Sequence, residues 1–183
     1  MIATVNILSV PVHNVTQAET LALIDDFVAS RQPHQLCTAN PEFVMAARAD
    51  SEFMTILRDA DLCLPDGVGL LWASKVLGKP LRERVAGSDL VPAIAVEAAE
   101  RGWRVFFLGA AEGVAERAAS ILKSRHPNLI VAGTWAGSPD PKEDEAITAR
   151  IRAARPDVLF VAYGAPAQDK WIARNRDRLR APV

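Results

Sequence analysis

The chain has 183 residues, and its 21 Lys and Arg against 22 Asp and Glu leave a net charge of −1. No whole-chain field exists to gather nucleic acid, so any polyanion site must be local. With 50% hydrophobic and 23% charged residues the composition is that of a folded globule and not of a disordered chain. A chain of this length buries about 70% of its unfolded surface, enough for one sizeable core and too little for two full domains.

The amino-terminal stretch MIATVNILSVPV is apolar but has neither a basic leader nor a small-residue cleavage site. Thr16 followed by Glu19 forms a capping box, with Leu21, Ile24, Phe27 and Val28 at helical spacing, which predicts a helix over 16–30. A short apolar run from Gln35 to Cys37 ends in Thr38-Ala39-Asn40, and Pro41 opens the next helix. A further short helix begins at Ser51. Asp61 to Leu64 reads as a buried strand that stops at Pro65-Asp66-Gly67, and a helix follows over 68–77. Cys37 and Cys63 lie in these apolar runs with no C-x-x-C and no histidine cluster, the pattern of buried inert thiols. From residue 88 helices are predicted over 89–101, 112–125, 141–154 and 166–179, and strands over 104–108, 129–133 and 157–163. Near-continuous apolar strands such as VFFL and VLFVAY belong in a parallel sheet covered on both faces, so the fold class is α/β, doubly wound and Rossmann-like. Ligands of such folds bind beyond the carboxyl ends of the strands, where Thr38, Asn40, Asp66, Gly109 and Gly164 all fall.

Each of these residues carries two readings. Asp66 at a strand end is placed to act as a general base, its pKa raised if apolar walls surround it, while Pro-Asp-Gly is equally a common turn. Thr38 and Asn40, two apart on an extended segment, point to one side and can reach one ligand; Asn40 can instead cap the helix opened by Pro41. Arg84, within RERVAGSD, can reach a diphosphate that the helix start near Ser88 also favours, or lie in a solvated loop. Gly109-Ala-Ala-Glu-Gly113 joins a strand to a helix as a phosphate loop does, but it is not G-x-G-x-x-G and carries no Walker lysine, which argues against a nicotinamide-dependent oxidoreductase. Trp135, between Gly133 and Gly137, can stack on a ring or simply pack. Gln168 stands in the first turn after Gly164-Ala-Pro. Beyond it Lys170, Arg174, Arg176, Arg178 and Arg180 make a basic helix face, suited either to a solvated helix end or to anionic lipid. The three histidines form no metal set, and no Ser-His-Asp order with an elbow motif is present.

Taken together, T-x-N at 38–40, LPDG at 64–67, ERVAGSDL at 83–90, FLGAAEGVAERAA at 107–119 and GAPAQDKW at 164–171 resemble the WecG/TagA/CpsF family of bacterial glycosyltransferases across nearly the whole chain. The resemblance implies an inverting, metal-independent transfer of a hexosyl unit, N-acetylmannosamine or its uronic acid, from UDP to a lipid-diphosphate-linked sugar. It implies no cofactor, a role in cell-envelope or exopolysaccharide synthesis, and a peripheral place at the cytoplasmic face of the membrane. Carried over residue by residue, Asp66 becomes the general base, Thr38 and Asn40 position the sugars, Arg84 meets the diphosphate, and Gln168, with Gly109 and Gly164, lines the pocket. Ala167 stands where the family usually has lysine, and Asp169 where it has glutamate. Family members usually continue with a further strand and a basic membrane-docking appendage. The expectation is therefore one glycosyltransferase domain over 1–183 without that appendage, with a sheet edge open to oligomerisation. A catalytically silent nucleotide-sugar-binding or scaffold form is the competing reading.

Overall fold

The structure is a computed structural model and describes residues 2–183. It opens with a hairpin of β1 (Thr4–Ile7) and β2 (Val10–His13), antiparallel in the register Thr4 to His13. Its turn residues Leu8 and Ser9 have φ of 48° and 74°, the left-handed pair that the twist of a two-residue hairpin demands. Then come α1 (Gln17–Ser30), β3 (Leu36–Ala39), α2 (Pro41–Ala49), α3 (Ser51–Asp59), β4 (Leu62–Pro65) and α4 (Val68–Val76). The second half runs α5 (Gly87–Arg101), β5 (Arg104–Gly109), α6 (Val114–Arg125), β6 (Ile130–Trp135), α7 (Asp144–Ala154), β7 (Val158–Ala162) and α8 (Ala167–Leu179).

The α/β class and the parallel pairing are as the sequence predicts, with β3 beside β4 and the order β6–β5–β7 in the second half. Helices cover both faces. Along β5, Val105 and Phe107 join one core with residues of α1, α5 and α6, while Phe106 and Leu108 join another with α7 and α8. On that second face Cys37 of β3 and Cys63 of β4 pack with α2, α3, α4 and the hairpin. Burial pushes both thiols up, Cys63 to about 12, so they stay protonated and inert.

The sheet is not one unbroken ladder. The hairpin is joined to β4 by a side chain: the Cys63 N–H donates to His13 Nδ1 at 2.9 Å. That bond requires the proton on Nε2, and burial lowers the imidazole pKa in the same direction, toward the neutral ring. Between β3 and β7 the two parallel sheets are bridged at their amino-terminal ends by the last residues of the chain. Leu159 donates its N–H to the Val183 carbonyl at 2.7 Å, and His34 donates to the Pro182 carbonyl at 2.8 Å. Above that bridge lies a groove of about 400 Å³, walled by Leu36, Leu90, Ile94, Phe107 and Phe160 and reaching Thr38 and Ala162 at the carboxyl ends of β3 and β7.

Candidate active site

The site is assembled where β3 and β4 end. The Asp66 N–H donates to the Ala39 carbonyl at 2.7 Å, tying the residue after β4 to the end of β3. Gly67 then turns the chain away at φ 140°, and a Cβ there would lie 3.1 Å from the Pro41 ring. Asp66 thus leaves the strand at a fixed point beside the start of α2.

Its carboxylate, 28% exposed, has two polar neighbours. Oδ2 accepts the Gly87 N–H at 3.1 Å, and the Arg84 guanidinium stands 3.8 Å from Oδ1. The apolar walls expected around Asp66 are therefore replaced by a helix start and a cation. Gly87 is the first residue of α5, and the preceding Ala86 supplies no side-chain cap: Asp66 takes the Gly87 N–H, while the Asp89 N–H returns to the Ala86 carbonyl at 3.1 Å. Gly87 also sits against Thr38: a Cβ there would come within 3.3 Å of Thr38 Oγ1. A side chain at 87 would press on Thr38, which would have to give by a few tenths of an ångström. Arg84 is also paired with Asp89 at 2.6 Å. An exposed pair of this kind holds the guanidinium beside the site at small net energy and releases it readily to a stronger anion.

Asn40 is the N-cap of α2, its Oδ1 accepting the Phe43 N–H at 2.8 Å. The cap uses the carbonyl oxygen only, and the Nδ2 amide, which makes no side-chain hydrogen bond among the described residues, stays free for a ligand. Gln168 Oε1 accepts the Gly164 N–H at 3.1 Å, which closes the loop between β7 and α8 and places Gln168 on the groove wall with Thr38 and Gly87.

Gly109 has a packing explanation. With φ 100°, its Cβ would stand 2.7 Å from the Ala162 backbone, so only glycine lets β5 approach β7 there. The Arg150 guanidinium covers one face of Trp135, 3.9 Å from the ring centroid, and the side chain stays 39% exposed. Three cations of the α8 basic face are paired with other elements: Lys170 with Asp50 and Glu52, each at 2.7 Å, Arg174 with Asp144 at 2.6 Å, and Arg178 with Glu145. Helix α8 thus lies between the acidic starts of α3 and α7, while Arg176 meets only the adjacent Asp177 at 3.8 Å and Arg180 makes no ion pair among the described residues.

Two constellations escape the sequence. Asp169, 2% exposed, lines the groove with Oδ2 unpartnered, and burial raises its pKa to about 6. Its place after Gln168 in GAPAQDKW marked the stretch, but nothing local marks its burial. Ser30, His34 and Asp61 also meet, with Ser30 Oγ 3.1 Å from His34 Nε2 and His34 Nδ1 2.8 Å from Asp61. Ser30 ends α1, where carbonyls surround it; its hydroxyl donates to the Phe27 carbonyl, and Asp61 is shared with the Gln35 N–H. The serine oxygen is already engaged, donating to the Phe27 carbonyl and accepting the Gln32 N–H at 3.1 Å, and the trio pins α1 to the start of β3.

A parallel α/β sheet with a carboxylate, a guanidinium and an uncapped helix start at its carboxyl-terminal rim belongs to the class of folds that handle phosphorylated ligands. The chain belongs to the WecG/TagA/CpsF family of glycosyl transferases, whose model matches residues 5–183. It is 37% identical over 141 residues to a protein of Bacillus spizizenii, a match covering 77% of this chain and 54% of the relative. It is 33% identical over 183 residues to a Staphylococcus aureus protein, covering 99% of this chain and 71% of the relative. Both relatives bear the name N-acetylglucosaminyldiphosphoundecaprenol N-acetyl-beta-D-mannosaminyltransferase. The chain thus spans about half the length of the Bacillus protein.

Proposed function

We propose that the chain transfers a hexosyl unit, N-acetylmannosamine or its uronic acid, from a UDP-sugar to N-acetylglucosamine carried on a lipid diphosphate. The reaction runs at the cytoplasmic face of the membrane in cell-wall polysaccharide synthesis. The observation that carries this reading is the Asp66 carboxylate, fixed at the rim by Gly87 with Arg84 3.8 Å away, in a chain similar to the two named mannosaminyltransferases.

In this reading Asp66 accepts the proton of the acceptor hydroxyl as that oxygen bonds to the anomeric carbon from the face opposite UDP. The bond from the anomeric carbon to the diphosphate oxygen breaks, and its electron pair leaves with UDP, so the configuration inverts. Charge gathering on the leaving diphosphate is met by Arg84 and the first-turn amides of α5, the work a divalent cation does in other transferases. Thr38, Asn40 through its free amide, and Gln168 orient the sugars. The buried thiols and Asp169 take no part in the proton transfer.

The test is transfer to a short-chain lipid-diphosphate N-acetylglucosamine from a panel of UDP-sugars, with the product's anomeric configuration read by NMR and the assay repeated in EDTA. One donor turning over in EDTA with inversion supports the reading. UDP binding without transfer from any donor supports the silent binding form instead.

A further inference from the structure

Among the described residues, four of the large apolar side chains that are exposed lie within ten residues of one another. Val68 is 57% exposed, Trp72 69%, Val76 89% and Leu77, the cap residue, 53%, so that one helix, α4, displays a continuous apolar outer stripe. The inner face of the same helix is already satisfied by Leu70 and Ser74, both buried. Spacing by four places Val68, Trp72 and Val76 in one row along the helix. Lys75 and Lys79 stand beside that row, both exposed. Neither takes part in an ion pair among the described residues, unlike Lys170 and Arg174 on α8. From Gly67 to Leu81 the chain carries no acidic residue at all.

We infer that this face of α4 seats the protein on an anionic lipid bilayer. A tryptophan in an apolar row suits the boundary between acyl chains and headgroups, where its ring is buried and its N–H stays wet. Lysines one turn away extend their charged ends to lipid phosphates while their methylene stems cover the apolar surface. A protein partner would need acidic groups set opposite these two free cations, whereas an anionic membrane supplies that charge everywhere. Position adds to the case: α4 starts directly after Asp66-Gly67 and is about 13 Å long, so a bilayer beneath it lies next to the proposed base. A sugar on a lipid diphosphate stands at headgroup height, which is where this seating holds the rim of the site. The inference rests on the proposed transferase reading for its purpose, but not for its test.

The test is co-sedimentation of the whole chain with sucrose-loaded vesicles of phosphatidylcholine, alone or mixed with phosphatidylglycerol. Binding is expected to the mixed vesicles only. Lys75→Ala with Lys79→Ala should weaken it about thirtyfold, and Trp72→Ser with Val76→Ser about tenfold or more. All four positions are exposed, so circular dichroism melts should match wild type. Failure to bind the mixed vesicles, or undiminished binding by both double variants, overturns the inference. So does sedimentation equilibrium showing a dimer that Trp72→Ser with Val76→Ser dissociates while vesicle binding persists, because the stripe is then covered by a second copy. Transfer to a water-soluble short-chain acceptor should be unchanged in these variants. Absence of transfer in every form, with vesicle binding intact, counts against the transferase reading and leaves the seating in place.

Discussion

The end of β4 and the start of α8 each place an aspartate at the same rim of the fold, in opposite settings. Asp66 is open to solvent on one side and held on the other by an amide and a guanidinium. Asp169 is 2% exposed with one oxygen unpartnered, and its pKa rises to about 6. Residue type and position along a strand–helix junction do not separate them. Partners and access do: a carboxylate oriented by an amide and a guanidinium stays reachable by a ligand, whereas one sealed in a groove wall spends folding free energy.

The largest expected effect falls on the first region. Asp66→Asn keeps the size and one acceptor oxygen but cannot take a proton, and steady-state transfer should drop by roughly 10² to 10⁴. Arg84→Ala should cost about a hundredfold in kcat with the fold unchanged, the loss of one charge-stabilising donor.

The second region should respond in stability instead. Because the folded pKa of Asp169 lies above its ordinary value of 3.8, folding favours the protonated form. Its contribution is full below about pH 4 and is lost as pH rises to about 6, amounting to as much as about 3 kcal/mol. Most carboxylates act in the reverse direction. Urea melts of wild type and Asp169→Asn across this window should therefore show a difference that changes with pH and levels off above it.

Asn40 tests the border between the two roles. Asn40→Ala should cost about 1 kcal/mol of stability through the lost cap. Asn40→Asp keeps the capping oxygen, so a raised KM in that variant isolates the amide's part in binding the sugar.

Much of this was legible in the sequence where local chemistry decides structure. The Thr16–Glu19 capping box is present in full, Asn40 caps α2, and the strand ending at Pro65 delivers Asp66 to the rim. The first hairpin was not legible, because Leu8 and Ser9 adopt left-handed φ without the Asn-Gly chemistry that usually marks such a turn. The basic repeat of α8 was visible, but the pairing of Lys170, Arg174 and Arg178 depends on Asp50, Glu52, Asp144 and Glu145 at the starts of two other helices. Asp169 shows the same limit. Its burial is set by the approach of α8 to the segment that opens β3, a contact between residues more than a hundred apart, as the Gln35 amide bonded to the Asp169 carbonyl illustrates.

The comparison of the two aspartates is tested most directly by one measurement: transfer by wild type, Asp66→Asn and Asp169→Asn at pH 8, with UDP affinity measured on each by calorimetry. The account expects Asp66→Asn to bind UDP normally and transfer almost nothing, while Asp169→Asn transfers within a few-fold of wild type. Transfer surviving in Asp66→Asn, or lost in Asp169→Asn with its fold intact, would contradict the assignment of the base.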